Sequence, residues 1–365
     1  MQITIPEDLL PSDGRFGSGP AKVRPEALDY LAMRGDLMGT SHRQAPVRNL
    51  VGAIQEGLSE LYRLPEGYEV VLGNGGSTLF WDLAVCSLIE RRSAHGVFGE
   101  FSRKFAKAAT AAPFLELPAV NEVEPGGVAL PEVGDADVYA WAQNETSTGA
   151  AAPVVRIGDG LNLVDATSSA GGMDADISAT DAYYFAPQKN FSSDGGLWFA
   201  FLSPAAIARA ERIKASDRWI PEMLDLTAAV KNSRQRQTLN TPALATLLLM
   251  EDQINWMLDL GGMQAVADRC RQSTNALYEW ADASEFATPF VPDPANRSSV
   301  VATIDFNDDV DAAKVSEVLR ENGIVDIDPY RALKRNQLRV GCYASVEPED
   351  AVALTRCIDH VVGQL

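Results

Sequence analysis

Residues 182–202 read AYYFAPQKNFSSDGGLWFAFL, and this stretch determines how the chain is interpreted. Two apolar runs, each the length of a buried strand, flank a polar loop that contains a single lysine, Lys189. Surface lysines ordinarily lie among polar neighbours. A lysine between two buried strands instead predicts an amine held at a strand end, where desolvation lowers its pKa and makes it a better nucleophile. An ordinary exposed loop lysine is the alternative reading.

Other apolar strand candidates alternate with helical patterns over roughly the first two thirds of the chain. The strand candidates are YEVVLGNGG, AHGVF, DVYAWAQ, LNLVDAT, AYYFAP and GLWFAFL. Helical patterns include PVRNLVGAIQEGLSELYRL, STLFWDLAVCSLI, with Ser77 or Thr78 as its cap, and FSRKFAKAATAA. This alternation predicts a mostly parallel sheet covered by helices on both faces.

The pattern changes near Thr241. Two long helices are predicted near Pro242–Leu260 and Met263–Ala281. They precede a strand SVVATIDF, a helix DAAKVSEVLRENG, two strands IVDIDP and QLRVGCYA, and a helix EPEDAVALTRCIDHVV. This order predicts a second, smaller α+β lobe.

Composition excludes several classes of function. The net charge of −19 over 365 residues argues against a nucleic-acid-binding or anionic-membrane surface. No signal peptide is predicted, because MQITIPEDLLPSDGRFG lacks a basic region followed by an apolar stretch. No membrane span is predicted either, because the most apolar helical run, ALATLLLM, is cut short by Glu251 and Asp252. The four cysteines show no CxxC spacing, which predicts buried free thiols in a reducing cytoplasm and no metal site.

A glycine turn and a strand-end carboxylate complete a possible cofactor site. In GNGGSTLF, a strand runs into a helix, and the backbone N–H groups with the Ser77 and Thr78 hydroxyls could cradle a phosphate. LNLVDATSSAGG ends a strand with Asp165, which could pair with a protonated ring nitrogen. A plain glycine turn and a turn aspartate are the alternatives. A cradle, an acid and an amine together are what pyridoxal phosphate requires.

Two clusters of basic residues could recognise an anionic substrate. TSHRQAP contains His42 and Arg43. The second cluster, YRALKRNQLRVG, contains Arg331, Lys334, Arg335 and Arg339. A solvated turn between two strands is the alternative reading of the second cluster, but arginine forks match the geometry of carboxylates and phosphates.

The chain resembles phosphoserine aminotransferases, which are fold-type I pyridoxal-phosphate enzymes of the class V aminotransferase family. The likeness runs from FGSGPAKV through SHR, GGST, QNETSTG, VDATSSAGG, APQKNF and LNTPA to LRVGCYAS. It implies an α/β fold whose large domain, residues 16–258, surrounds a mostly parallel seven-stranded sheet flanked by helices. The smaller α+β C-terminal domain would comprise residues 259–365 together with the N-terminal segment 1–15.

The resemblance also implies a role for each matching site residue. Lys189 would form the imine with pyridoxal 5'-phosphate and then shuttle the proton, and Asp165 would hold the ring nitrogen charged. The other implied cofactor contacts are the phosphate ligands Gly76, Ser77, Thr78 and Gln188, the ring-hydroxyl partner Thr146, the stacking residue Phe101, and Asn240 and Thr241, which would reach the other subunit's cofactor across a homodimer interface.

The implied reaction moves the amino group of L-glutamate to 3-phosphohydroxypyruvate and gives phosphoserine for serine biosynthesis; a second role in pyridoxine biosynthesis stays open. Arg339 would bind the substrate α-carboxylate. The residues implied around the remaining anionic group are Ser18, His42, Arg43 and Arg331. The sequence departs from the family pattern at Phe101, usually tryptophan, and at Tyr330, usually histidine. It leaves open which of Arg331, Lys334 and Arg335 binds the substrate phosphate.

Three other functions are weighed against this one. An alanine–glyoxylate type of aminotransferase would share the fold but would not need so many cations. A cysteine desulfurase would need a mobile, exposed thiol, whereas Cys342 lies in a strand pattern. A regulator that keeps the fold for sensing would be expected to carry a basic DNA-binding domain, which the acidic charge balance opposes.

Overall fold

The computed structural model describes residues 3–365 and contains three sheets, of seven, three and two strands, with helices packed against the two larger ones. The α-helices are α1 (Pro25–Met33), α2 (Ala45–Leu61), α3 (Ser77–Ser87), α4 (Glu100–Ala111), α5 (Pro204–Lys214), α6 (Leu226–Arg234), α7 (Leu244–Asp259), α8 (Met263–Ala283), α9 (Ala312–Glu321) and α10 (Pro348–Val362). The strands are β1 (Glu69–Asn74), β2 (Ser93–Val97), β3 (Ala119–Glu122), β4 (Val138–Ala142), β5 (Asn144–Glu145), β6 (Ala150–Ala151), β7 (Leu161–Asp165), β8 (Ala182–Phe185), β9 (Leu197–Leu202), β10 (Ala287–Pro289), β11 (Val301–Phe306) and β12 (Gln337–Gly341).

The large sheet has seven strands in the order β1-β9-β8-β7-β4-β2-β3. All neighbouring pairs are parallel except those of β9, which runs antiparallel to both β1 and β8. The predicted mostly parallel seven-stranded sheet is therefore confirmed. Six of its strands were predicted from apolar runs. The seventh, β3, lies at the sheet edge and has alternating exposed residues, so it lacks such a run.

Both faces of this sheet are buried, as predicted. On β8, Tyr183 and Phe185 point into an apolar cluster shared with α2 and α7. Tyr184, between them, points to the opposite face and packs with side chains of α3, α5 and α6. Because successive strand residues face opposite sides, a strand covered on both sides must be apolar throughout. This explains why the strand that precedes Lys189 reads as an unbroken apolar run.

The small sheet consists of β10, β11 and β12, paired antiparallel, and its core includes side chains of α8, α9 and α10. The predicted α+β lobe is present, but the expected strand IVDIDP is wrong, since only Val325 pairs, in an isolated bridge with Arg15. The short β10 was not predicted. The domain limits 16–258 and 259–365 with 1–15 stay a prediction, and residues 1 and 2 lie outside the described part.

Several chain segments meet at the edge of the large sheet where the parallel strands have their carboxyl ends. The parallel strands β4, β7 and β8 end there, and α3 and α4 begin there after β1 and β2. The N-terminal segment reaches the same edge from the small sheet. The backbone N–H of Gly341 donates to the Phe16 carbonyl at 2.8 Å, and five residues later the N–H of Ala21 donates to the Gln188 carbonyl at 2.8 Å. No helix among residues 3–365 is long and apolar enough to cross a bilayer.

Candidate active site

A cavity of about 380 Å³ opens at this edge of the large sheet. Most of the residues predicted to bind cofactor or substrate line it together. Those residues are Ser18, Gly76, Ser77, Thr78, Phe101, Thr146, Asp165, Gln188, Lys189 and Arg339. The structure thus brings the amine, the acid and the glycine turn into one enclosure, although 24 or more residues separate them in sequence.

Lys189 lies in the loop after β8 and is only 7% exposed. Its Nζ donates a hydrogen bond to Thr146 Oγ1 at 2.8 Å and lies 5.5 Å from the centroid of the Phe101 ring. Burial lowers the pKa of Lys189 to about 8, because the charged amine is poorly solvated, and the nearby Asp165 carboxylate partly opposes this effect. The amine can therefore exist in both protonation states near neutral pH.

The loop that carries Lys189 is anchored to its surroundings through the next residue. Asn190 Nδ2 donates to the Ser168 carbonyl at 2.9 Å, and Asn190 Oδ1 accepts from the Ala344 N–H at 3.2 Å. Gln253 of α7 donates to the Asn190 carbonyl at 3.1 Å. At Gly19, an added Cβ would lie 2.8 Å from Lys189 Cε, so the absence of a side chain there leaves space for the lysine.

Asp165 is the last residue of β7, and both of its carboxylate oxygens accept hydrogen bonds. Oδ1 accepts from the Thr167 N–H at 2.9 Å and from Thr167 Oγ1 at 2.5 Å. Oδ2 accepts from Trp81 Nε1 at 3.0 Å. These donors fix the orientation of the carboxylate at the cavity wall.

The glycine turn after β1 has the features of a phosphate cradle. Gly75 has φ +113°, and a Cβ added at Gly76 would meet no atom within 4 Å, so the backbone there borders open space. Helix α3 begins at Ser77 with Gly76 as its N-cap, so the predicted side-chain cap by Ser77 or Thr78 is wrong. The Ser77 hydroxyl instead stays free for a ligand.

Two buried polar atoms beside the glycine turn have no hydrogen-bond partner in the described chain. Ser77 Oγ and Gln188 Oε1 are buried, and neither makes a hydrogen bond within residues 3–365. Buried polar atoms in folded proteins are nearly always paired. The first N–H groups of α3 also lack partners within the helix, and the helix dipole favours an anion there. This turn fits the phosphate of pyridoxal phosphate.

Phe101, Tyr330 and Arg339 border the cavity on the side of the small lobe. The Phe101 and Tyr330 rings lie 6.0 Å apart between centroids, and the Arg339 guanidinium lies 5.4 Å from the Tyr330 ring centroid. Arg339 Nη1 approaches the Thr146 carbonyl at 3.4 Å, while its buried Nε–H has no partner in the described chain. Burial lowers the pKa of Arg339, so a desolvated cation points toward the cavity.

A second cavity, of about 520 Å³, adjoins the first and shares Ser18, Tyr330 and Arg339 with it. Arg331 lines this second cavity. Lys334 and Arg335 line neither cavity, and the Arg335 guanidinium is paired with Asp305.

Four of the predicted residues line neither of these two cavities. His42, Arg43 and Thr241 line a separate surface cavity, where His42 Nδ1 lies 3.3 Å from Thr241 Oγ1. Asn240 is exposed beside them and contacts Met223, with Nδ2 3.3 Å from Sδ.

Trp81 and Asn144 are among the cavity-lining residues that were not predicted from the sequence. Trp81 holds Asp165, and its signal was its position four residues after Ser77, which places both on one helix face. Asn144 lines the cavity with a buried, unpartnered Oδ1 and has no comparable sequence signal.

Comparison with known proteins places this cavity in a family. The family model described as "Aminotransferase class-V" matches residues 133–326. A protein of Mycobacterium sp. (strain KMS) is 58% identical over 368 residues, covering 100% of each chain. A phosphoserine aminotransferase of Nocardioides sp. is 56% identical, covering 100% of this chain and 99% of the relative.

The fold comparison agrees. The crystal structure of a phosphoserine aminotransferase from Cytophaga hutchinsonii superposes with a TM-score of 0.88 at 21% identity, covering 95% of this chain and 99% of the other. The fold-type I architecture is therefore confirmed. A lysine, an acid and an anion cradle around one cavity are the groups that pyridoxal phosphate needs. The chain belongs to the class V aminotransferase family and is a pyridoxal-phosphate-dependent aminotransferase.

Proposed function

We propose that this protein is a phosphoserine transaminase, which transfers the amino group of L-glutamate to 3-phosphohydroxypyruvate in a ping-pong reaction and forms phosphoserine. One observation carries the proposal. The cofactor cavity continues into a second cavity, and Arg339 and Arg331 supply cations to the combined space. Each proposed substrate carries two anionic groups, so a single arginine would leave one of them unpaired in a protein of net charge −19. The phosphoserine aminotransferase of Nocardioides supports the same substrate class.

The residues of the cavity fit pyridoxal phosphate, which supplies an aldehyde that takes up an amino group and a protonated ring that accepts electrons. Asp165 would hold the ring nitrogen, and Thr146 would bind the ring hydroxyl. Phe101 would lie against the ring face. The residues that would hold the phosphate are Gly76, Ser77, Thr78 and Gln188.

Lys189 performs the proton transfer in this proposal. Its Nζ can accept a proton when neutral and donate one when charged, and a pKa of about 8 makes both states accessible. The hydrogen bond to Thr146 Oγ1 keeps the Nζ at the cavity wall, and the side chain is otherwise almost fully buried.

The anionic groups of the substrate are assigned to two arginines. Arg339 would bind the α-carboxylate, because its unpartnered Nε–H and desolvated guanidinium adjoin the cofactor cavity. Arg331 would bind the phosphate or the side-chain carboxylate of glutamate, since Lys334 and Arg335 line neither cavity. Ser18, whose buried hydroxyl has no partner among residues 3–365, would complete the substrate site.

The phosphate assignment is tested with two acceptors and one variant. We expect Arg331→Ala to lower kcat/KM for 3-phosphohydroxypyruvate by about 10- to 100-fold, because a charge-assisted contact of about 1.5–3 kcal/mol is lost. The same variant should change kcat/KM for unphosphorylated hydroxypyruvate little. Steady-state kinetics of both acceptors measures the difference.

Lys334→Ala is the matched control, since it removes a cation three residues away that lines neither cavity. It should leave both kcat/KM values near those of the native enzyme. Equal native rates with the two acceptors would remove the argument for a phosphate site and favour the alanine–glyoxylate type.

The proposal includes a homodimer in which Asn240 and Thr241 reach the partner's cofactor. Both residues are exposed in the single chain and lie outside their own cofactor cavity. The exposed apolar side chains of Met38 and Met223 accompany them. Because His42 contacts Thr241, we propose that His42 and Arg43 enter the partner's substrate site as well.

Mixed dimers test this sharing. Lys189→Ala chains lack the amine but keep Arg43, and Arg43→Ala chains have the opposite defect. If the site is shared, an equimolar mixture should regain about a quarter of native activity, because half of the dimers are hybrids with one intact site. Activity that stays at the level of the separate variants would mean that Arg43 acts within its own chain or not at all.

The desulfurase alternative lacks support in the structure. Cys342 is fully buried, its N–H donates to the Val300 carbonyl, and burial raises the pKa of its thiol. Such a thiol is neither exposed nor ionised at neutral pH. All four cysteines are unpaired and buried, which fits the cytoplasmic location included in the proposal. Fractionation of source cells would check that location.

A further inference from the structure

Glu145 is a buried carboxylate that the proposed reaction does not use. It is fully buried, and none of the ion pairs among residues 3–365 includes it. Its two neighbours in sequence, Asn144 and Thr146, line the cofactor cavity, but Glu145 does not. An ionised side chain that is removed from water without a cation needs other compensation. Its hydrogen bonds show where that compensation comes from.

The carboxylate of Glu145 lies against the N-terminus of α4. Oε2 accepts from the Ser102 N–H at 2.9 Å and from Ser102 Oγ at 2.9 Å. Oε1 accepts from the Phe101 N–H at 3.2 Å and from Ser147 Oγ at 2.7 Å. The first N–H groups of a helix lack partners within the helix, so this arrangement pairs both carboxylate oxygens without a basic side chain.

Gly99 leaves the space that this contact requires. A Cβ at position 99 would lie 2.1 Å from Glu145 Cγ and 2.7 Å from Ser147 Oγ. The backbone of Gly99 is extended, with φ 178°, a conformation that any residue adopts. Space for the carboxylate, rather than backbone conformation, therefore accounts for glycine at this position.

This contact joins two elements that border Lys189. Phe101 is the second residue of α4, and its ring centroid lies 5.5 Å from Lys189 Nζ. Thr146 follows Glu145 directly, and its Oγ1 accepts the hydrogen bond from the same Nζ. The Glu145 carboxylate thus bonds the start of α4 to the segment after β4, together with Ser147 Oγ, which accepts from the Glu100 N–H at 3.0 Å.

We propose that Glu145 is a positioning residue, whose carboxylate sets the spacing between the Phe101 ring and the Thr146 hydroxyl and thereby shapes the slot for the cofactor ring. The proposal depends on the cofactor and not on the identity of the substrate. It would stand even if the acceptor proved to be unphosphorylated.

Glu145→Gln is the most informative variant, because glutamine has nearly the same shape as glutamate but carries no charge. An amide has only one acceptor oxygen, so its NH₂ group would face the N–H of either Phe101 or Ser102. The first turn of α4 would have to move, and the Phe101 ring would move with it. Glu145→Asp keeps the charge but is one methylene shorter, so it should show a smaller change of the same kind.

The measurements separate positioning from stability. Cofactor affinity is measured on the cofactor-free protein by quenching of tryptophan fluorescence, since Trp81 lines the cavity. The orientation of the bound ring is followed by visible circular dichroism of the holoenzyme, and thermal unfolding of the cofactor-free protein reports stability. We expect Glu145→Gln to weaken cofactor binding by about tenfold or more and to diminish the circular dichroism band.

Asp311→Asn is the matched control. The Asp311 carboxylate also accepts from two successive helix N–H groups, those of Ala313 and Lys314 in α9, but it lies in the small lobe away from the cofactor cavity. This variant should lower the unfolding temperature while cofactor affinity and the dichroism band stay native.

The proposal is overturned if Glu145→Gln lowers the unfolding temperature but leaves affinity and dichroism unchanged, since Glu145 would then be an ordinary helix cap. If Glu145→Gln does not fold, Glu145→Asp decides the question by the same two measurements. Native cofactor affinity and native dichroism in Glu145→Asp would then reject the positioning role.

Discussion

Lys189→Ala is expected to abolish transamination, with kcat reduced by about 10⁴-fold or more. The amine has two tasks, attachment to the cofactor aldehyde and proton transfer, and no other lysine lines the described cavity. The cradle at Ser77 and Gln188 stays intact in this variant. Pyridoxal phosphate should therefore still bind, but without the covalent link, and gel filtration at low cofactor concentration should remove it together with its visible band.

Lys104→Ala is the control for Lys189→Ala. The Lys104 Nζ lies 5.4 Å from the Phe101 ring centroid, almost the same distance as the Lys189 Nζ at 5.5 Å. Lys104 is exposed on α4 and does not line the cavity. Its removal should leave the visible band and kcat nearly native. A Lys189→Ala protein that keeps a band through gel filtration and turns over substrate would place the covalent link on another residue.

Asp165→Asn is expected to lower kcat by about 10²- to 10⁴-fold, which corresponds to about 3–5 kcal/mol for a broken buried ion pair. The amide cannot hold the ring nitrogen protonated by charge, and it also disturbs the wall. Because both carboxylate oxygens accept hydrogen bonds, an NH₂ group would face either Trp81 Nε1 or the Thr167 N–H. Single-turnover kinetics with glutamate measures the loss, while the covalent link through Lys189 should still form.

Asp225→Asn provides an unusually close control for Asp165→Asn. Asp225 is also buried, and its Oδ1 accepts from the N–H of Thr227 at 2.9 Å and from Thr227 Oγ1 at 2.6 Å, which repeats the geometry of Asp165 with Thr167. Asp225 precedes α6, and it does not line the cavity. The Asp225→Asn variant should lower the free energy of unfolding and leave kcat unchanged. If kcat falls equally in the two variants, the loss would come from the disturbed aspartate–threonine turn and not from the contact of Asp165 with the cofactor ring nitrogen.

The large sheet could be predicted because strands that are buried on both faces read as apolar runs in the sequence. β8 is apolar throughout, and β7 is apolar except for Asn162 and its last residue, Asp165. The edge strand β3 reads AVNE and contains no such apolar run. The segment IVDIDP has the alternation of a strand, yet its strand-like pairing is limited to an isolated bridge at Val325 and a single hydrogen bond from the Arg339 N–H to the Ile327 carbonyl. Alternation shows that residues can face two sides, but not that a neighbouring strand is present.

The candidate site was predictable in part for a related reason. Residues at the ends of parallel strands meet at one sheet edge, so Asp165 and Lys189 could be expected together. The contact between Trp81 and Asp165 depends on how α3 is rotated against the sheet, which residue spacing indicates only loosely. The role of Glu145 was hidden, since its partners are backbone N–H groups, which every residue of a helix start offers. The basic residues His42 and Arg43 lie outside their own cofactor cavity, where the sequence pattern alone could not have placed them.

The two ends of the chain close the cofactor cavity together. The segment that carries Ser18 and Gly19 is held at one side by the backbone of Val325 and Gly341, more than 300 residues later in the sequence. During synthesis on the ribosome, these early residues lack these partners until Val325 and Gly341 have emerged. Contacts of such sequence separation form late, since the entropy of closing a long loop must be overcome first. A nascent chain that has not yet exposed these partners therefore cannot complete the cavity wall.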